Sequence, residues 1–216
     1  MRYDLAIFDM DGTILDTLGD LRDSLNAALA SEGLPPRTTD EARRFVGNGI
    51  RRLVERGVPD GTPDEVLERV LVAFKRHYAV HCADSTCPYP GIPEMLSSLR
   101  AAGVRTAVVS NKDDGAVRRL AETFFPGAFD HVAGLREGVR RKPAPDTVDA
   151  AIASLGVRRS SAVYIGDSEV DLETARAARI PCITVLWGFR SREELAAQGS
   201  DCFAAGPADE LRLILE

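Results

Sequence analysis

The 216-residue sequence predicts an α/β fold in which a parallel sheet flanked by helices carries one inserted, all-helical domain. Three observations lead there. Short apolar runs recur at Leu5 to Phe8, Thr106 to Val109, Ala162 to Ile165 and Ile183 to Leu186, each the length of a strand buried on both faces. Stretches of helical period separate these runs, as parallel crossovers require. From about Asp16 to Cys87, by contrast, the pattern holds only helical spacing.

Taken in order, Leu5 to Phe8 stops at Asp9, Asp11 and Gly12, which reads as a buried strand ending in a tight turn with carboxylates at its C-terminal end. Leu18, Leu21, Leu25 and Leu29, then Val66, Val70 and Phe74, form helical stripes. Pro88-Tyr-Pro-Gly91 supplies turn chemistry before a helix over Ile92 to Ala102, placing one domain crossing there and the other just after Leu15. The expected organisation is therefore a core of residues 1–15 and 88–216 with a helical domain at 16–87. A fainter strand signal lies near His131 and Val132, and no repeat of solenoid or propeller period is present.

Composition narrows the function. With 44% hydrophobic and 28% charged residues the chain has globular proportions. A net charge of −6 disfavours a general attraction to nucleic acid or anionic membrane. No apolar stretch is long enough to span a bilayer and the N-terminal run is too short for a signal peptide, so a cytoplasmic enzyme, monomeric or homodimeric, is expected. Cys82, Cys87, Cys182 and Cys202 lack metal-ligand spacing and read as reduced thiols. His77 and His81 have the i, i+4 spacing of a zinc pair but no third ligand.

In open parallel sheets ligands gather beyond the strands' carboxyl ends. The runs deliver Asp9-Met-Asp-Gly-Thr13, Ser110-Asn-Lys112 and Gly166-Asp-Ser-Glu-Val-Asp171 there, and Lys142-Pro143 precedes the helix leading into the last of these. Clustered carboxylates repel one another and a phosphate dianion, so they call for a hard cation, with Mg2+ the usual solution. Phosphoryl transfer then needs an in-line nucleophile, donors around the phosphoryl oxygens and a proton source. Asp9 is the expected nucleophile and Asp11, two residues on, the acid and base. Ser110 and backbone N–H groups around Met10, Asp11 and Asn111 would bind phosphate, with Lys142 as compensating charge. Asp167 would hold the metal, while Asp171, with Thr13, would support the site from behind.

Asp9-Met-Asp-Gly-Thr13, Ser110, Lys142-Pro143 and Gly166-Asp-Ser-Glu-Val-Asp171 together resemble the four motifs of haloacid dehalogenase-type phosphatases. The resemblance implies a Rossmann-like core with a C1-type helical cap and an aspartyl-phosphate intermediate. It also implies Mg2+ held by Asp9, Asp167 and the main-chain carbonyl of Asp11. Val46-Gly-Asn-Gly-Ile50, Pro88-Tyr-Pro-Gly91, Val109-Ser-Asn-Lys112, Trp187-Gly188 and Ser191-Arg-Glu-Glu-Leu195 are more narrowly similar to bacterial phosphoglycolate phosphatases. A small phosphorylated metabolite, 2-phosphoglycolate foremost, is the expected substrate. Other small esters, nucleotides and pyrophosphate remain alternatives, as does a phosphosugar mutase, although Thr13 stands where such mutases resemble Asp-Gly-Val. A non-catalytic module would have lost one of the motif residues.

Gly47, Asn48 and Gly49 would let backbone approach a carboxylated substrate, whereas Arg51 and Arg52 read as solvated and Trp187 as core. Arg179 and Arg190 depart from that narrower pattern, standing where glycine is frequent.

Overall fold

The computed structural model describes residues 2–216. Two compact units divide the chain, one formed by the stretch up to Leu15 together with Pro88–Glu216, the other by Asp16–Cys87. In chain order the elements are strands β1 (Leu5–Phe8) and β2 (Leu15–Asp16), helices α1 (Leu18–Ser31), α2 (Thr39–Phe45), α3 (Gly49–Gly57) and α4 (Asp64–His81), then β3 (Cys87–Pro88) and α5 (Ile92–Ala101). There follow β4 (Arg105–Asp113), α6 (Asp114–Phe124), β5 (His131–Leu135), α7 (Asp146–Leu155), β6 (Ala162–Gly166), α8 (Glu169–Ala178), β7 (Cys182–Val185), α9 (Arg192–Ala197), β8 (Phe203–Ala204) and α10 (Pro207–Leu215). The chain passes between the units at β2 and β3, which pair with each other.

Six strands of the α/β unit form the predicted parallel sheet, in the order β5-β4-β1-β6-β7-β8. Because β1 lies between β4 and β6, the chain winds first to one side of it and then to the other. Strand order reverses there, which is where open α/β sheets gather their ligands, beyond the strands' carboxyl ends. All four residues of β1 are buried. Leu5 and Ile7 join Ala107, Val109, Ala162 and Tyr164 from the neighbouring strands and Val148, Ala151, Ile152, Ala175 and Ala178 from α7 and α8 in one apolar cluster. At roughly 1.5–3 kcal/mol for each large aliphatic chain buried, that cluster anchors the strand carrying Asp9.

Two details depart from the expected pattern. Strand β8 gave no signal because a two-residue edge strand has no period to read. Strand β4 runs past Val109 into Ser110, Asn111 and Lys112, because its pairing with β5 slips between Val109↔Ala133 and Asp113↔Leu135. Three residues of β4 therefore oppose Gly134, and a Cβ at Gly134 would come within 2.5 Å of the Asp114 Cα and 2.7 Å of the Lys112 carbonyl. The bulge needs that glycine. Arg179, one of the departures noted above, caps α8 at φ 56°. Its left-handed backbone explains why glycine suits the position, at a strain of about 1–2 kcal/mol for any L side chain.

Glu210, on α10, is fully buried, and among the described residues neither of its carboxylate oxygens has a hydrogen-bond partner. Burial pushes its pKa up from 4.5 to about 8. The folded state thus holds a proton that the unfolded chain releases, so stability declines as pH rises from the unfolded value through the folded one. Glu210→Met keeps an unbranched, helix-favouring side chain without the charge. We expect it to raise stability at pH 8 by about 1–4 kcal/mol and to flatten the decline above about pH 5. Urea unfolding followed by Trp187, the single tryptophan and part of the same unit, measures this. Parallel pH profiles for the two proteins would contradict it.

In the helical unit α1 and α4 pack together, burying Leu18, Leu21, Leu25 and Leu29 on one helix and Val70, Leu71, Phe74 and Tyr78 on the other. Asp20 ties α1 to the end of the unit. Its Oδ1 accepts from the Ser85 N–H and hydroxyl at 2.9 and 2.6 Å, and its Oδ2 from those of Thr86 at 2.9 and 2.7 Å. Burial works to raise this carboxyl's pKa, but the hydrogen bonds outweigh it and hold the group below 3.8. His77 and His81 lie with ring centroids 4.3 Å apart and planes tilted by 30°, their Nδ1 atoms paired with Ser24 and Asp84. Arg51 and Arg52 are exposed and pair with Glu68 and Glu55. Gly47-Asn48-Gly49 links α2 to α3, with φ of 116° at Gly47 and 80° at Gly49. Among the described residues no helix is long and apolar enough to cross a membrane.

Candidate active site

The Asp9 N–H donates to the Ile165 carbonyl at 2.9 Å, which prolongs the β1–β6 ladder by one bond and fixes the backbone at the first carboxylate. The chain then turns tightly, the Met10 carbonyl accepting from the N–H groups of Thr13, Ile14 and Leu15. Met10 has a fully buried side chain, so only its backbone can serve a ligand. Gly12 sits at φ 81°, and a Cβ there would lie 2.4 Å from Asp167 Oδ2. A Cβ on Gly188 would crowd the same oxygen at 2.6 Å. Two glycines thus leave room around the Asp167 carboxylate, whose Oδ1 meets the Thr13 hydroxyl at 3.4 Å and whose Oδ2 accepts from the Phe189 N–H at 2.7 Å.

Lys142 enters from the loop before α7. Its Nζ lies 2.8 Å from Asp9 Oδ1 as an ion pair, and donates to Asp171 Oδ1 and the Tyr164 hydroxyl, each at 2.9 Å. The Tyr164 hydroxyl in turn donates to Asp171 Oδ1 at 3.0 Å. Asp171 Oδ2 accepts from the Asp167 N–H, the Ser168 N–H and the Ser168 hydroxyl at 3.2, 3.1 and 2.6 Å. Both Asp171 oxygens are saturated, so this carboxylate anchors its neighbours.

The β4 bulge brings in three consecutive polar residues, all nearly buried. Asn111 grips the Lys142 backbone, its Nδ2 donating to the Lys142 carbonyl at 3.1 Å and its Oδ1 accepting from the Lys142 N–H at 2.8 Å. The Ser110 hydroxyl accepts from the Lys112 N–H at 3.2 Å. The Lys112 Nζ lies 2.9 Å from Asp11 Oδ1.

Electrostatically the cluster lacks positive charge. Asp9, Asp11, Asp167 and Asp171 face two ammonium groups, Lys112 and Lys142, with the Arg190 guanidinium, itself paired with Glu169, also acting on Asp167. Burial pushes Asp9 up from 3.8 to about 7, with Lys142 pulling down and Asp171 and Asp11 pushing further up. Burial, then the charges of Asp171 and Asp9, raise Asp167 well above 3.8. Burial disfavours charge on Lys142, but Asp171 and Asp9 outweigh it and raise its pKa. Asp9, Asp167 and Asp171 offer oxygens within 4.8 Å of one another. With Asp171 saturated, Asp9 and Asp167 are the side chains with capacity left for a hard cation. A donor set of two buried carboxylates, with glycine rather than a side chain at the two backbone positions against Asp167, fits such an ion.

All the core residues expected from the motifs therefore meet at one sheet end, whereas Gly47, Asn48 and Gly49 belong to the helical unit. Sequence reasoning missed Tyr164, which reads as one more apolar strand residue, and the partnership of Lys112 with Asp11. The polar triplet 110–112 running on from an apolar strand was the available signal for the latter. Trp187 is half-buried, its indole N–H donating to the Thr13 carbonyl at 2.9 Å.

Residues 6–185 match the family model for haloacid dehalogenase-like hydrolases, and the chain belongs to that family. Within it the chain is a phosphatase resembling phosphoglycolate phosphatases. It is 36% identical over 205 residues to the phosphoglycolate phosphatase of Rhodospirillum rubrum, covering 90% of this chain and 84% of that one. Against the phosphoglycolate phosphatase of Aquifex aeolicus the identity is 30%, over 97% and 96% of the two chains. A crystal structure from Lactobacillus delbrueckii subsp. bulgaricus, named provisionally for the same activity, superimposes with a TM-score of 0.96 at 40% identity, covering 100% and 99%.

Proposed function

We propose that this phosphatase hydrolyses a small phosphomonoester, 2-phosphoglycolate foremost, through a phosphoryl group carried on Asp9. The observation that carries this reading is the meeting of Asp9 with Asp167 and the Lys142 ammonium, 2.8 Å away, at the sheet's switch point. An Asp9 oxygen attacks phosphorus and the ester P–O bond breaks, while Asp11 gives its proton to the departing oxygen. A water then attacks the phosphorus of the aspartyl-phosphate, Asp11 takes that water's proton, and phosphate leaves with the Asp9 carboxylate restored. Lys142, the Ser110 hydroxyl and the N–H groups at Met10, Asp11 and Asn111 bind and orient the phosphoryl oxygens.

Asp9, Asp167 and the Asp11 carbonyl would hold Mg2+, which when bound offsets the clustered negative charge and polarises the phosphoryl group. Asp171 and Thr13 steady Lys142 and Asp167. We assign the helical unit, residues 16–87, the role of a cap that excludes bulk water and reads the rest of the substrate, with Gly47-Asn48-Gly49 offering backbone to a carboxylate. The closeness of the Rhodospirillum and Aquifex relatives supports 2-phosphoglycolate as the leading substrate.

Phosphate release from a panel of monoesters, nucleotides and pyrophosphate tests this, each assayed with Mg2+ and with EDTA. Turnover greatest on 2-phosphoglycolate, lost in EDTA and restored by Mg2+, is expected. Inactivity on every ester with Mg2+, or undiminished turnover in EDTA, would overturn it.

A further inference from the structure

We propose that Lys112 is a positioning residue for the leaving-group proton, pinning one oxygen of the Asp11 carboxyl so that the other faces the departing alcohol. On the reading of Asp11 as acid and base given above, that carboxyl must be held in one orientation. Its Oδ1 is buried and 2.9 Å from the Lys112 Nζ. An oxygen held by a cation is a poor seat for a proton, which leaves Oδ2 to carry and deliver it. Asp11 needs such a restraint because it is the least buried carboxylate of the cluster, its side chain 16% exposed against 12% for Asp9 and none for Asp171.

The restraint is itself rigid. The Lys112 side chain is only 3% exposed. Its N–H donates to the Ser110 hydroxyl, and its carbonyl sits where Gly134 alone leaves space. The slip of register between Val109 and Asp113 lets three successive residues of one strand reach site partners, where strict alternation would turn every second one to the other face. Ser110, Asn111 and Lys112 thereby fix, in turn, a hydroxyl, the Lys142 backbone and the Asp11 carboxyl.

The readout is the dependence of rate on the leaving group. An alkyl phosphate departs as a strongly basic alkoxide and needs the proton, whereas p-nitrophenyl phosphate departs as a stable phenolate and does not. Lys112→Met, Lys112→Arg and Asp11→Asn are compared on both substrates with Mg2+, together with the double variant Lys112→Met, Asp11→Asn. We expect Lys112→Met to lose roughly 10-fold or more in kcat on the alkyl ester, within the ~10²–10⁴ that general acid catalysis supplies. It should lose severalfold less on the aryl ester, with KM little changed and Lys112→Arg recovering part of the difference. In the double variant the Lys112 change should cost little beyond Asp11→Asn alone, as residues acting through one another require.

Equal losses on both esters from Lys112→Met beside a leaving-group-selective Asp11→Asn would overturn the proposal alone. So would full additivity in the double variant with rates taken per folded enzyme, Lys112→Arg taking the place of Lys112→Met if the latter folds poorly. An unselective Asp11→Asn would instead overturn the acid role of Asp11, and the positioning role with it.

Discussion

Asp9→Asn is expected to abolish turnover, by at least about a thousandfold, while leaving the α/β unit folded. Asparagine matches aspartate in shape, but its amide is too weak a nucleophile to attack phosphorus. Stability should move the other way. Burial, opposed by Lys142 and reinforced by Asp171 and Asp11, raises the Asp9 carboxyl to about 7 in the metal-free protein. An acid so raised favours folding at low pH and withdraws that support as pH climbs from its ordinary 3.8 through about 7. The metal-free variant should therefore match or exceed the parent in stability above neutrality and show a shallower decline, read from urea unfolding at several pH values. Losing activity without losing stability separates removal of the nucleophile from damage to the fold.

The second large effect is structural. Asp171→Asn should cost about 3–5 kcal/mol of stability in the α/β unit and most of the activity with it. Five donors converge on the parent carboxylate, and an amide group turns its own N–H donors toward some of them. Lys142, buried and held charged, would lose one of its two carboxylate partners among the described residues and keep Asp9. Trp187 fluorescence during urea unfolding measures the loss, with kcat on the preferred ester as companion. A variant as stable as the parent would show that the Asp171–Lys142–Tyr164 network bears little of the fold's energy.

Much of the fold is legible in the sequence because strands buried on both faces read as unbroken apolar runs, as Leu5 to Phe8 and Ala162 to Ile165 do. Strand β5 is faint because His131 and Gly134 interrupt its apolar character, the glycine being required by the neighbouring bulge. Carboxylates stand out in the sequence because charged residues directly after apolar runs have few structural reasons to be there. Their supporting contacts are hidden. Nothing along the chain shows that β4 slips its register by way of Gly134, so neither the reach of Lys112 to Asp11 nor the grip of Asn111 on the Lys142 backbone could be read from spacing. Tyr164 is hidden for the opposite reason, since its ring belongs to the core while its hydroxyl belongs to the site.

Whether Asp9 takes the phosphoryl group can be seen directly by slowing its departure. Asp11→Asn, without the base for the second step, is mixed with Mg2+ and p-nitrophenyl phosphate, quenched in acid, digested and weighed by mass spectrometry. One phosphoryl group on the peptide containing Asp9, absent when Asp9→Asn is added to the same chain, is the expected result. Release of phosphate with every aspartate unmodified throughout turnover, or a phosphoryl group on some other residue, would contradict the mechanism.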